Sequence, residues 1–252
     1  MDKLCEEGLQ FSEETSLVAV YATKTLICIL GLFLLLYVYI YQNPTRGFHV
    51  NSQIIFQFHC SFLVAAMIGT ALSDGFDFVR FTIVKAVRTA SPQFQDCPVP
   101  PMSPYVGVAM KSIKVFGNNG VVYTTAALAI ERIVSSLLLE SYEQKNSALG
   151  WTLSMISLVT SGTLIAIRVG LADYSKELSI TSFTAAATGF SMRLQYSNAV
   201  VEVVNAFLLF ILHFLNKRRL GRRQRIFNSL AYKAQVGGTK GTEMLYKDMY
   251  SI

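Results

Sequence analysis

Residues 17–41 have the sequence LVAVYATKTLICILGLFLLLYVYIY, and this stretch decides the fold class of the chain. Its only charged residue is Lys24. A helix needs roughly 20 mostly apolar residues to span a bilayer, because a rise of about 1.5 Å per residue has to cover about 30 Å of hydrocarbon. Tyr37, Tyr39 and Tyr41 at its end are typical of the aromatic belt at a membrane interface. The stretch therefore predicts a membrane-spanning helix.

Four further stretches have the length and composition of a membrane span. Segment 76–90, FDFVRFTIVKAVRTA, either continues the second of these spans or lies at the membrane interface. The predicted fold class is an all-α membrane protein, a multi-span helical bundle with about five spans. The predicted spans are 17–41, 52–72, 106–138, 148–169 and 199–215.

The composition of the whole chain excludes two classes of protein. Of 252 residues, 52% are hydrophobic and 15% are charged. A soluble globular chain carries roughly 25% charged residues. The low charge argues against a disordered protein, and the clustering of the apolar residues argues against a soluble domain. The first apolar run is also too long for a signal peptide and follows an acidic leader, so we predict that it is not cleaved.

Charge is distributed unequally between the two ends of the chain. Residues 1–16 carry five acidic residues against one lysine, whereas residues 216–252 carry nine basic residues against two acidic ones. Basic residues next to a span favour the cytoplasmic side. We therefore expect 216–252 to be a basic cytoplasmic tail in contact with anionic membrane lipids, and 1–16 an acidic extracellular segment. The positive net charge of +6 comes from the basic residues of that tail, and this distribution argues against a nucleic-acid partner.

Lys111, Lys114 and Asn118 follow one another at helical spacing in the third span. Ionisable groups inside a bilayer are costly unless they have a partner, a water-filled cavity or a route to the interface. One interpretation is the polar wall of a ligand pocket in the extracellular half of the bundle. The other is that both lysines extend to the nearby headgroups.

Glu202 near the start of the fifth predicted span is a further charge at membrane depth. As a ligand-site residue it would accept Lys111 or Lys114 across the bundle, which would stabilise both charges. The alternative is that it lies at the outer interface, because the predicted span begins only at residue 199.

The cysteines and histidines indicate neither catalysis nor metal binding. No CxxC spacing occurs, and the three histidines are scattered along the chain. With no nucleophile motif and no phosphate-binding loop, we predict no enzyme activity, no catalytic residue, no metal and no cofactor. Cys5 and Cys97 both fall outside the cell in the predicted topology, so a disulfide between them is a hypothesis.

Three short motifs carry a resemblance to a known family. They are NPTRGFHVN at 43–51, AIERIVSSLLLESYE at 129–143 and FNSLAYKAQV at 227–236. Their order and spacing are similar to those of the nematode serpentine chemoreceptors of the Sra superfamily. The closest resemblance is to serpentine receptor class alpha/beta, over roughly residues 10–236.

This resemblance implies a seven-helix receptor in the plasma membrane of sensory neurons. Such a receptor detects a small chemical ligand outside the cell and couples to a heterotrimeric G protein inside. Glu131 and Arg132, at the inner end of the third span, would serve that coupling, because an Arg held by a neighbouring carboxylate is released on activation in rhodopsin-like receptors. The competing hypothesis is an interfacial pair that only ends the helix.

The chain departs from the family pattern after Gln235, where two more spans would follow. The sequence there, VGGTKGTEMLYKDMYSI, is too polar and too short to cross a bilayer. The expectation is therefore the front part of a seven-transmembrane fold, with signalling impaired by the missing spans. The alternative is a non-signalling membrane adaptor or a homo- or hetero-dimerisation partner of full-length receptors. A small transporter is disfavoured, since no internal repeat is present.

Overall fold

The computed structural model describes residues 3–42, 48–91, 97–137, 147–172, 174–175, 178–179, 192–214 and 217. The chain divides into two units, Met1–Val203 and Val204–Ile252. In the second unit, the described part is the end of one helix and Lys217.

Helices make up nearly all of the described chain. A short helix, α1, precedes the first long one, and a π-helical turn at Arg80–Val84 joins two α-helices end to end. The helices are α1 Lys3–Glu13, α2 Thr15–Gln42, α3 Val50–Val79, α4 Lys85–Thr89, α5 Pro104–Leu137, α6 Ala148–Gly170 and α7 Met192–Phe214.

Five helical segments are long and apolar enough to cross a membrane, which confirms the predicted class of a multi-span helical bundle. The second of them is continuous from Val50 to Thr89, so segment 76–90 continues the helix well past the predicted end at residue 72. The fifth begins at Met192, earlier than the predicted residue 199. Both differences have one cause. Each predicted span was bounded by the ends of its apolar run, whereas the helix continues through the neighbouring polar residues.

The α3–α5 pair is held together by small residues at the crossing. A Cβ atom on Gly69 would meet the backbone of Lys114, and one on Gly117 would meet the backbone of Ala66. A Cβ on Gly120 would collide with the ring of Phe62. Glycine at these positions lets the two antiparallel backbones approach closely, as is common between helices in membranes.

Helices α2 and α6 pack around this pair. Gly31 of α2 faces the sulfur of Met67, and Thr25 faces Gly75, so α2 runs antiparallel to α3. Three serines form the buried stripe of α6, at positions 154, 157 and 161. Most apolar side chains in the second half of α2 are exposed, among them Phe33, Leu34 and Ile40. That surface faces lipid in a membrane-spanning chain.

Segment 1–16, expected as an acidic terminal segment, is largely helical and attached to the bundle. Cys5 of α1 forms a disulfide with Cys97, and Gly8 packs on Val99. Val99 is buried together with Tyr21 and Phe81. We call this the disulfide end of the bundle. The end at which α5 finishes and α3 begins is called the Glu131 end.

Candidate functional site

Glu131 is a fully buried charged residue at the Glu131 end of the bundle. Its side chain has no exposed surface, and its Oε1 accepts a hydrogen bond from Ser52 Oγ of α3 at 2.8 Å. A buried carboxylate is costly unless hydrogen bonds replace its water. The Ser52 hydroxyl therefore links the end of α5 to the start of α3.

The start of α6 joins the same cluster through Asn51. The Gly150 backbone N–H donates to Asn51 Oδ1 at 2.9 Å, and Asn51 is buried. The Asn51 backbone N–H in turn donates to Nδ1 of His49, which caps α3. A side chain at Gly150 would collide with the Asn51 backbone. Three helices thus meet at the Glu131 end through short polar side chains.

Arg132 points away from this buried cluster. Its side chain is 43% exposed, and its Nε lies 3.4 Å from Glu131 Oε2. The guanidinium carbon lies 5.7 Å from the centre of the Phe48 ring, within range of a cation–π contact. The Glu131 carboxylate and the Phe48 ring thus hold the Arg132 cation at the surface. An acceptor group of a binding partner can replace either contact.

Two of the three motifs singled out in the sequence are therefore in contact. Phe48 of the first motif lies against Arg132 of the second, and Ser52, directly after the first motif, donates to Glu131, although the motifs are far apart in the chain. The remaining parts of these motifs, residues 43–47 and 138–143, lie outside the described residues, as does the third motif at 227–236.

A second polar cluster lies in the half of the bundle nearer the disulfide. Lys114 Nζ of α5 contacts both carboxylate oxygens of Asp74 in α3, at 3.0 and 3.1 Å. Ser73 Oγ donates to Asp74 Oδ1 at 3.1 Å, and Lys24 Nζ of α2 lies 4.0 Å from Oδ2. Asp74 itself is almost completely buried. The cluster joins three helices around one carboxylate.

The other predicted ligand-site residues are placed differently from one another. Lys111 is half-buried on α5, while Asn118 is exposed. Glu202 is also exposed, within α7 rather than at its start. The carboxylate that Lys114 contacts is therefore that of Asp74. A pair between Glu202 and Lys111 or Lys114 stays a prediction.

The neighbour of Asn118 turns inward instead. Asn119 is buried, and its Oδ1 accepts a hydrogen bond from Asn198 Nδ2 of α7 at 2.6 Å. The Nδ2 of Asn119 and the Oδ1 of Asn198 are buried and have no hydrogen-bond partner among the residues that the structure describes. The two amides thus leave one buried donor group and one buried acceptor unpaired among the described residues.

Arg80 organises the disulfide end. Its guanidinium is buried, lies 3.2 Å from Asp77 Oδ1 and donates to the carbonyl oxygens of Pro100 and Ser179. Met102 and Leu178 exchange two backbone hydrogen bonds beside it. Arg80 is the first residue of the π-helical turn, and its guanidinium contacts two connecting segments, one at Pro100 and one at Ser179. These contacts attach the two segments to the end of α3, close to the start of α5.

Sequence reasoning missed Asp74, Arg80, Asn119 and Asn198. Asp74 lies beyond the predicted end of the second span at residue 72, while Asp77 and Arg80 lie in segment 76–90, for which continuation of the span was one of two expectations. The spacing of Asp74, Asp77 and Arg80 at three-residue intervals is helical. Nothing in the sequence distinguished Asn119 from its neighbour Asn118. In the part of the chain that the structure describes, no three His, Cys, Asp or Glu side chains are grouped so that they could hold a metal ion.

The family model described as "Serpentine type 7TM GPCR receptor class ab chemoreceptor" matches residues 2–238. No curated protein and no solved structure matches the chain. The match covers all five membrane-spanning helices and both polar clusters. It is a family of chemoreceptors rather than of enzymes. The chain therefore belongs to the serpentine-type seven-transmembrane G-protein-coupled receptors of class ab, a chemoreceptor family.

Proposed function

We propose that the chain is a chemosensory receptor-like membrane protein that detects a small molecule in the half of the bundle nearer the disulfide and couples to a heterotrimeric G protein at the Glu131 end. The observation that carries the proposal is the pair formed by the fully buried Glu131 and the exposed Arg132. The carboxylate is fixed by Ser52, so a small shift of α5 against α3 changes the charge pairing of Arg132.

The proposed orientation has the N-terminus outside and the basic tail in the cytoplasm, in the plasma membrane of sensory neurons. Disulfides persist in oxidising compartments, and the Cys5–Cys97 bridge lies at the end we place outside. The six basic residues within 217–225 favour a cytoplasmic location for the C-terminal tail.

Glycosylation tags test this orientation. Tags at the N-terminus and in the connection after α3 and α4 should be modified, and tags after α2 and at the C-terminus should not. Reversing the six charges within 217–225 should lower that discrimination. An unmodified N-terminal tag in the unaltered chain would contradict the orientation.

The proposed ligand site comprises Lys111, Lys114, Asn118 and Glu202, to which the contacts add Asn119 and Asn198. The Asp74 carboxylate already neutralises Lys114, so the charges do not by themselves call for an ionic ligand. The buried, unpaired amide nitrogen of Asn119 and amide oxygen of Asn198 favour a neutral molecule with a hydroxyl or carbonyl group.

Coupling is tested by resonance energy transfer between the full chain and a panel of G-protein heterotrimers. We expect Arg132→Ala to reduce association by about tenfold or more, since charge-assisted contacts in a buried interface are worth several kcal/mol. Arg193→Ala is the matched control, because Arg193 is also an exposed arginine on a long helix but lies in α7. Equal loss in both variants, with equal surface levels, would contradict the role of Arg132.

The alternative function is a non-signalling adaptor or dimerisation partner of full-length receptors of the family. Co-expression separates the two. An adaptor changes the surface level of a full-length receptor without ligand and without dependence on Arg132. A receptor loses its G-protein association on Arg132→Ala but leaves the partner's surface level unchanged.

A further inference from the structure

A buried polar stripe runs along α3 towards the disulfide end. Asp74, Asp77 and Arg80 follow one another at three-residue intervals, and each is buried. Side chains at this spacing lie close to one face of a helix. At a rise of about 1.5 Å per residue, the stripe extends over about 9 Å. Arg80 is its last member, and its guanidinium donates to the carbonyl oxygens of Pro100 and Ser179, which lie outside the helix.

The facing stripe of α5 leads to the same connecting segments. Gly107 and Lys114 are seven residues apart and therefore share a face of this helix. Lys114 contacts the Asp74 carboxylate. A Cβ atom on Gly107, by contrast, would meet side-chain atoms of Leu178 and Met102. Both helices thus run from the polar cluster to one pair of connecting segments at the disulfide end.

The two segments differ in how they are attached. The first, which includes Met102, is joined to α1 by the disulfide. The second contains Leu178 and Ser179, and no cysteine occurs in 170–198. Leu178 and Met102 exchange two backbone hydrogen bonds, at 2.9 and 3.0 Å. Arg80 donates to the Ser179 oxygen at 3.3 Å. The second segment can therefore separate from the bundle without breaking a covalent bond.

Arg80 contacts both segments and the polar stripe with one side chain. Its Nη1 lies 3.2 Å from Asp77 Oδ1, and its Nη2 donates to Pro100 and Ser179. Charge-assisted hydrogen bonds are roughly twice as strong as neutral ones, and a planar guanidinium holds its donors in a fixed geometry. The ion pair with Asp77 thus orients the guanidinium towards the two carbonyl groups.

We propose that Arg80 is a positioning residue that keeps segment 178–179 against segment 100–102 and so closes the disulfide end of the bundle. Release of segment 178–179 opens the polar cluster at Asp74 and Lys114 to water-soluble molecules. This inference rests on the proposed function, because the access that Arg80 controls is access to the proposed ligand site. It requires neither the identity of the ligand nor coupling to a G protein.

The test measures how fast a thiol beside the cluster reacts with a small charged methanethiosulfonate. The full chain carries Ser73→Cys, at a position that is 3% exposed. Cys28→Ala and Cys60→Ala remove the two free thiols of the natural chain. Modification in lipid nanodiscs is followed by intact mass. We expect Arg80→Gln to raise the rate by about tenfold or more, because the lost charge-assisted hydrogen bonds let the segment open more often.

Two controls separate local opening from other effects. Lys85→Gln removes a positive charge at the same end, from α4, and should leave the rate at position 73 unchanged with both an anionic and a cationic reagent. A probe at Ser161→Cys, buried on α6, should stay equally slow with and without Arg80→Gln. Unchanged modification at position 73 in Arg80→Gln, or an equal rise at position 161, would overturn the proposal.

A double variant covers the case in which Arg80→Gln is not recovered in folded form. Asp77→Asn together with Arg80→Gln removes both members of the buried ion pair, so that no charge loses its partner. We expect the same rise in rate at position 73, and a rate equal to that of the chain with Arg80 would overturn the proposal. Because the reaction uses no ligand and no G protein, such a result would not bear on the proposed receptor function.

Discussion

Asp74 illustrates how a charged side chain is kept inside a membrane bundle. Its carboxylate is buried, takes two short contacts from Lys114 and one from Ser73, and has Lys24 at the edge of ion-pair distance. Removing a charge from water costs several kcal/mol, which only good geometry repays. Lys114 was identified from the sequence as a residue that needs a partner, but Asp74 was not identified as that partner. The predicted span ended at residue 72, and the pairing is across helices, which a single sequence does not record.

This pair gives a prediction for stability. Lys114→Met should destabilise the chain by about 3–5 kcal/mol, because Asp74 is left as a buried charge with a weaker partner. The double variant Asp74→Asn with Lys114→Met should recover most of that loss, since no charge remains to be paired. The measurement is thermal or denaturant unfolding of the purified chain in one detergent.

The control is Lys85→Met, a lysine in α4 whose side chain is half-buried and which belongs to no ion pair among those described. It should change the free energy of unfolding by about 0.5 kcal/mol or less. Additive losses in the double variant at positions 74 and 114 would show that the two charges do not support each other.

At the scale of elements, the α3–α5 crossing has the strictest packing. Gly117 and Gly69 are needed because each faces backbone atoms of the other helix, which cannot move aside as a flexible side chain can. The five spans themselves were predictable, because the bilayer thickness sets a length that apolar runs must match. The ends were not. Helix α3 continues through Asp74, Asp77 and Arg80 because these residues find partners in the fold, and sequence alone shows them only as polar.

Glycine substitutions test the crossing. Gly117→Ala should destabilise the chain by about 1–3 kcal/mol, because its methyl group would press on the backbone of Ala66. Gly162→Ala in α6 is the matched control, since nothing lies within 4 Å of a Cβ there. It should be neutral or stabilise by up to about 1 kcal/mol through the better helix propensity of alanine. The same sign and size for both would contradict the close crossing.

At the scale of the whole molecule, class and family follow from the sequence more readily than the sites do. Apolar runs and three short motifs were sufficient to identify a multi-span receptor family, because the thickness of the bilayer sets the length of every span. The Glu131–Arg132 pair was also identifiable, since it lies in one motif. The buried partners Ser52 and Asn51, and the amide pair at Asn119 and Asn198, depend on how helices rotate against each other. No local pattern encodes that rotation.

The four cysteines give a prediction for the intact chain. Cys5 and Cys97 are bridged, whereas Cys28 and Cys60 are free thiols. Denatured, non-reduced protein from a secretory-pathway membrane should therefore take up two maleimide groups per chain, and reduced protein should take up four. Intact mass spectrometry measures both. Cys97→Ser should raise the count before reduction by one, because Cys5 becomes free; four groups before reduction in the unaltered chain would rule out the bridge.

The bridge between Cys5 and Cys97 spans 92 positions of sequence, and both α2 and α3 lie inside the loop that it closes. During biosynthesis, the two thiols can meet only after the ribosome has delivered both helices and the translocation machinery has carried residue 97 back to the side that holds residue 5. A chain whose second helix fails to integrate leaves its cysteines on opposite faces of the membrane. Formation of this disulfide therefore requires that the chain has crossed the bilayer twice, through α2 and α3.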